Sequence, residues 1–138
     1  NDISTPDLAM REDHSDLGVD WVGFKNAPTY LPLGPWILPA AFVRDIADLR
    51  VQMRLNGETM QDESPSEMVY PVDYLLRRAG EQLRLFPGDL LLTGSPSGTS
   101  SEHGRYLRDG DVIEASVAGL GSQRNRCVSR VPASPGRN

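Results

Sequence analysis

The stretch "LRVQMRLNGETMQD", residues 49–62, constrains the fold more tightly than any other part of the chain. Leu49, Val51, Met53 and Leu55 alternate with Arg50, Gln52 and Arg54. Successive side chains of a strand point to opposite faces, so this period of two marks a half-buried β-strand. Asn56-Gly57 follows at once, a dipeptide that tolerates the positive φ angles of a tight hairpin turn. The return strand is expected over Glu58 to Asp62.

The periodicity then changes. Pro71 suits the first turn of a helix, where its missing N–H is no loss. Val72, Leu75, Leu76 and Ala79 fall at i, i+3, i+4 and i+7, one apolar helical face, with Arg77, Arg78 and Glu81 outside it. Gly80 is expected to weaken or end that helix. Two later units, "PGDLLLTG" and "DGDVIEASV", each have a Gly-Asp turn feeding a β-rich strand. Leu90 to Leu92 read as a strand buried on both sides. Gly119-Leu120-Gly121 is a further turn, and "SQRNRCVSRV" the last strand. "LPLGPWILPAAF" carries three prolines in twelve residues, which excludes a helix and favours an extended segment near a sheet edge. Residues 1–30 read as polar and irregular, with "REDHSD" solvated, and "PASPGRN" (132–138) as a disordered tail. The fold class expected is mainly β with one helix (α+β), a single partial domain over residues 1–131.

Charge narrows the partners. The 138 residues carry 14 basic and 19 acidic side chains, net −5, with no Lys/Arg run. That argues against nucleic acid or an anionic membrane, and no apolar stretch approaches the roughly 20 residues of a membrane-spanning helix. Cys127 is the only cysteine, so no internal disulfide forms and a reducing, cytoplasmic setting is expected. It reads as a small core residue, and His14 and His103 as surface histidines. The chain opens on Asn1, with no signal-peptide pattern, and reads as a piece of a larger domain.

Three places carry candidate chemistry. "TGSPSG", residues 93–98, lacks the Gly-Lys-Ser/Thr of a phosphate loop. Taken alone, Thr93, Gly94 and Ser95 are equally a plain turn or the wall of a site, where small hydroxyl residues let a ligand near the backbone. Lys25 is the single lysine among the 14 basic residues. It is either an ordinary exposed lysine or a point charge for an anionic substrate or enolate oxygen. Asp2 is either a turn residue or one carboxylate of a Mg²⁺ site, which demands oxygen ligands. Asp109-Gly110-Asp111 reads as a turn.

"NDIS", "FKNAPTYLPLGPWILP", "LRVQMRLNGETMQD", "VYPVDYLL", "LFPGDLLLTGSPSG" and "YLRDGDVIEASVAGLG" occur in this order. Together they resemble the C-terminal part of the fumarylacetoacetate hydrolase family, from Asn1 to about Val128. The resemblance implies a mixed β-sandwich or roll of largely antiparallel strands. It also implies a divalent ion, Mg²⁺ or else Mn²⁺ or Ca²⁺, held by an aspartate and a Glu-x-Glu pair. Asp2 matches that aspartate, Lys25 the lysine beside the metal, and Thr29 a threonine near the ion. Thr93, Gly94 and Ser95 match a substrate-contacting Thr-Gly-Thr-Pro loop, which favours the site-wall reading. The Glu-x-Glu strand and a water-activating histidine–glutamate pair would precede Asn1. Pro6 and Ala9 replace the usual arginine and glutamine, and Asn26-Ala27 the usual Ser-Phe, which points to a different substrate.

The function implied is Mg²⁺-dependent hydrolysis of a C–C bond in a 1,3-diketo or acylpyruvate-type 2-oxo acid, in a homodimer. Isomerisation with decarboxylation of a 2-oxo dicarboxylate is the alternative within the enzyme class. A non-catalytic degenerate homologue that kept the fold is the alternative outside it.

Overall fold

The computed structural model describes residues 1–5, 18–34 and 36–129. "REDHSD", with His14, lies outside the described residues, as do Pro6, Ala9 and the 132–138 tail. The chain divides into two compact units, Asn1–Ile37 and Leu38–Asn138. Among the described residues no helix is long and apolar enough to cross a membrane.

In the second unit β1 (Val51–Leu55) and β2 (Glu58–Glu63) form the expected hairpin, paired antiparallel. Asn56 at φ 53° and Gly57 at φ 86° make its two-residue turn. Two positive φ angles in sequence are the signature of a type I′ turn, whose twist matches that of the flanking strands. β3 (Val112–Val117) and β4 (Gly121–Arg126) complete one antiparallel sheet of order β2-β1-β3-β4. Val51, Met53 and Leu55 share a face with Val117, Ala115 and Ile113, their partners in register. Only Leu55 and Ile113, at 6% and 4% exposure, are fully buried among the described apolar residues.

The centre of this unit is held by a carboxylate. Asp111, 6% exposed, accepts hydrogen bonds from Asn56 Nδ2 at 2.8 Å, Arg105 Nη2 at 2.9 Å and the Arg108 N–H at 2.7 Å. The Oδ1 of the same Asn56 accepts from Val112 N–H at 2.8 Å, and its backbone N–H donates to Val112 O at 2.9 Å. Asp109-Gly110-Asp111 is therefore a turn, as expected, but its second carboxylate locks the β1–β2 turn onto the start of β3. The Arg105 hydrogen bond, then that of Asn56, holds the Asp111 carboxyl well below the usual carboxylate range.

α2 (Val72–Gln82) is the expected amphipathic helix. Gly80 does not end it. That residue is absent from the positive-φ glycines, so it continues the right-handed turn, and the last cap is Leu83 N–H to Ala79 O at 2.9 Å.

Several expectations are corrected. Leu90–Leu92 form no strand and are 58%, 42% and 52% exposed; a strand exists only through a ladder, and among the described residues none pairs with them. The last strand stops at Arg126. In the proline-rich segment no described residue of 31–42 joins a strand, and Ala40–Phe42 form a 3₁₀ turn. Residues 1–30 are not wholly irregular, because the first unit contains α1 (Trp21–Lys25), whose N-cap Asp20 accepts from Gly23 N–H at 3.0 Å. A third short helix, α3 (Ser100–His103), starts with a Thr99–Glu102 capping box. Among the described residues the α-helices are thus one long and two of about a turn, and the class is the mainly β (α+β) one expected.

The buried Asp111 network yields a pH-dependent expectation. Its ionised form is favoured by the native state, so its stabilisation is complete above about pH 4, the ordinary carboxylate pKa. It is lost progressively as pH falls toward the lower native value. Asp111→Asn should lower stability by about 2 kcal/mol at pH 7. In urea titrations the gap between the two proteins should narrow steadily as pH falls from about 4 to 2. A pH-independent gap would show that charge at this position contributes nothing.

Candidate active site

In the first unit the residues flanking Asp2 run beside residues 24–30. Ile3 N–H donates to Tyr30 O and Thr5 N–H to Phe24 O, both at 3.0 Å, and the Thr5 and Tyr30 hydroxyls are hydrogen-bonded. α1 ends on Lys25, and this pairing carries its ammonium to Asp2. Lys25 Nζ donates to Asp2 Oδ2 at 2.7 Å, with the two side chains 31% and 37% exposed. Nζ also lies 5.2 Å from the centroid of the Phe24 ring. Two residues singled out from sequence 23 positions apart are thus in direct contact.

Thr29 closes the same region. Tyr30 N–H donates to Ala27 O at 3.1 Å, and Pro28 and Thr29 occupy the two central places of that turn. Thr29 stands at φ 71°. A type II turn wants glycine there, and an L residue in the left-handed region costs about 1–2 kcal/mol. A β-branched residue held so is a local strain next to the Asp2–Lys25 pair, of the kind that gathers at functional sites.

In the second unit, Thr93, Gly94 and Ser95 are exposed. The Thr93 and Ser95 hydroxyls have no hydrogen-bond partner among the described residues. Gly94 stands at φ 108°, and a Cβ there would meet nothing within 4 Å; the glycine serves the backbone angle, and the space beside it is open. The loop is nonetheless not slack. Gln61 Nε2 donates to Pro96 O at 2.8 Å and Ser97 Oγ to Glu63 Oε1 at 3.3 Å. Glu102 accepts from Thr99 N–H at 2.7 Å and from Gly98 N–H, and these bonds, Thr99 first, hold its carboxyl below the ordinary value. Thr99-x-x-Glu102 is a capping signal visible in the sequence.

A groove of about 540 Å³ also opens in this unit between Asp45–Ala47, Pro65–Met68 and the start of α2. None of the candidate residues lines it. Cys127 is half-buried and unreactive in setting, since burial above all pushes its thiol upward.

Among the described residues, Asp2 is the candidate that could offer an oxygen to a divalent ion. Lys25 engages Oδ2 of Asp2 and leaves Oδ1 without a partner among the described residues. An octahedral site takes six oxygens, from carboxylates, water or substrate, and among the described residues no group of three or more His, Cys, Asp or Glu stands together.

Similarity to known proteins runs along the whole of this framework. The sequence is 33% identical over 123 residues to a 2,4-didehydro-3-deoxy-L-rhamnonate hydrolase of Sphingomonas sp. (strain SKA58), covering 87% of this chain and 43% of that protein. It is 31% identical to a mitochondrial oxaloacetate tautomerase of Rattus norvegicus, covering 93% of this chain and 40% of that one. The crystal structure of a probable 2-hydroxyhepta-2,4-diene-1,7-dioate isomerase from Mycobacterium abscessus superposes with a TM-score of 0.84 at 32% identity, over 96% of this chain and 49% of the other. The chain thus spans 40% to 49% of the length of these relatives. Residues 1–128 match the fumarylacetoacetate (FAA) hydrolase C-terminal family, and the chain belongs to that family.

Proposed function

We propose that the chain is part of a metal-dependent enzyme that hydrolyses a C–C bond in a 1,3-diketo or acylpyruvate-type 2-oxo acid. The Asp2–Lys25 contact carries this reading. A carboxylate with one open oxygen, 2.7 Å from the chain's only lysine, suits a place where a hard cation and an anionic substrate meet. In this reading Asp2 gives Oδ1 to Mg²⁺, with Mn²⁺ or Ca²⁺ as substitutes, and the other oxygen ligands come from outside the described residues. A bound divalent ion supplies Lewis acidity toward the substrate oxygens. Lys25 holds positive charge where negative charge develops on an enolate oxygen as the C–C bond breaks. The strained Thr29 turn fixes the backbone beside them. Thr93 and Ser95 offer unpaired hydroxyls to substrate, and Gly94 keeps the approach open. A homodimer in a reducing compartment such as the cytoplasm, acting on a small molecule and not on nucleic acid or membrane, belongs to the same proposal.

Isomerisation with decarboxylation of a 2-oxo dicarboxylate is the second reading, favoured by the likeness to the Mycobacterium abscessus protein. The two share charge development on a 2-oxo acid and differ in the product. Full-length protein should turn over acetylpyruvate, fumarylpyruvate or a 2-oxo dicarboxylate, lose activity to a chelator and regain it with Mg²⁺. Carbon dioxide release marks the second reading, and two carboxylic acids without carbon dioxide mark the first. No turnover on any of these would sink both.

Lys25→Met should lower kcat/KM on the accepted substrate by about 10²-fold or more, as expected on losing a group that stabilises developing charge. The melting temperature should stay nearly constant, because the ion pair is a third exposed and contributes about 1 kcal/mol at most. Parallel loss of activity and stability would make Lys25 a structural residue.

Ser95→Ala removes one hydroxyl and little volume. KM should rise several-fold with little change in kcat, the signature of binding equal in ground and transition states. Gly94→Val should be worse, because it crowds the approach and a branched residue resists φ 108°. Steady-state kinetics indistinguishable from the parent for both variants would reduce the loop to a plain turn.

A further inference from the structure

Where the loop 93–98 stands is decided at one irregularity of the sheet. In the β1–β2 ladder Met53 pairs with Gln61 but Arg54 pairs with Thr59, so Met60 has no partner across β1. That is a β-bulge, on a strand at the edge of the sheet. The Met60 carbonyl oxygen meets Gly98 and the His103 ring, whose Nε2 lies 3.4 Å away. A Cβ on Gly98 would lie 1.8 Å from that oxygen, and Gly98 itself stands at φ 93°. Only glycine permits so close a contact there. One residue past the bulge, Gln61 donates to Pro96 O at 2.8 Å.

We propose that the Met60 bulge and Gln61 form the positioning device of the Thr93–Ser95 wall, with Gln61 Nε2 as the group that sets where the wall stands. The proposal rests on the reading of that wall as substrate-contacting. Thr93 and Ser95 have no side-chain anchor of their own among the described residues, so the wall's place depends on its neighbours. Pro96 follows Ser95 directly, and its ring fixes φ near −65°. Holding the Pro96 carbonyl therefore leaves few free torsions between the anchor and the Ser95 hydroxyl. A misplacement of about 1 Å in a positioning element is enough to impair a bound geometry. Gln61 touches no reacting atom in this scheme; it acts through Pro96.

Gln61→Met keeps the length of the side chain and removes the donor. Gln61→Glu keeps its shape and, ionised, cannot donate; it is the second variant should the first fold poorly. Amide hydrogen exchange across residues 93–99 should speed up about three- to tenfold in either variant, the effect of one lost hydrogen bond. Amides of β1, β3 and β4 should exchange as in the parent. KM for whichever of acetylpyruvate, fumarylpyruvate or a 2-oxo dicarboxylate the parent turns over should rise several-fold, with kcat changed less. Unchanged exchange in residues 93–99, or acceleration spread equally over the sheet, overturns the positioning role. Faster loop exchange with an unchanged KM, or with a parent inactive on all three substrates, overturns the reading of the wall as substrate-contacting and leaves the positioning role standing.

Discussion

The sheet of the second unit depends on the buried carboxylate of Asp111. A buried charge is costly unless hydrogen bonds satisfy it, and here Asn56, Arg105 and the Arg108 backbone do so together. Each donor comes from a different part of the chain. Asn56 is the first residue of the hairpin turn, Arg105 follows α3, and Arg108 opens the turn into β3. The backbone exchange between Cys127 N–H and Asp111 O at 2.7 Å adds the end of β4. With only two apolar side chains fully buried among the described residues, hydrophobic burial alone leaves the register of β1 on β3 weakly specified. The polar network supplies what that thin core lacks, because a slip of one residue would leave a charge unpaired.

The same sheet holds the loop 93–98, the proposed wall, through a defect as well as through its regular strand. Met60 is an extra residue in β2, and the chain puts a glycine, Gly98, against it. The regular part of the strand supplies alternate residues, Gln61 and Glu63, that reach the loop from one face. Rigid elements thus hold a loop in which the Thr93 and Ser95 hydroxyls have no partner among the described residues. Binding residues are commonly carried this way, on loops positioned by a stiff scaffold. In the first unit the logic is similar at smaller scale. The Asp20 cap starts α1 and sets its last residue, Lys25, while the hydrogen bonds of Ile3 and Thr5 bring Asp2 alongside.

Local signals in the chain were read correctly where local physics decides. The alternation of Val51 to Leu55, the Asn56-Gly57 turn and the apolar stripe of α2 each depend on residues a few positions apart. Asp2, Lys25 and Thr29 stand out by resemblance, and the structure places the first two in contact. The failures share a cause. Leu90–Leu92 have the composition of a strand, but strand formation needs a second chain segment to bond with, which composition does not reveal. Gly80 looked like a helix end, yet a glycine ends a helix only when it turns to positive φ. The short helices at Trp21 and Ser100 were passed over, although Asp20 and Thr99-x-x-Glu102 are capping signals in plain view.

By itself the sequence determined the period-2 strand, its hairpin turn, the amphipathic helix and the family, since each is written in residue types at short or ordered spacing. Tertiary structure alone decided that Asp111 rather than Asp109 is buried at the hub, that Met60 is the bulge, and that Gln61 reaches Pro96. These depend on which segments lie side by side after the chain has closed long loops, 55 residues between Asn56 and Asp111. No local pattern encodes such a meeting, because the hydrogen bonds that reward it form only once both segments are in place.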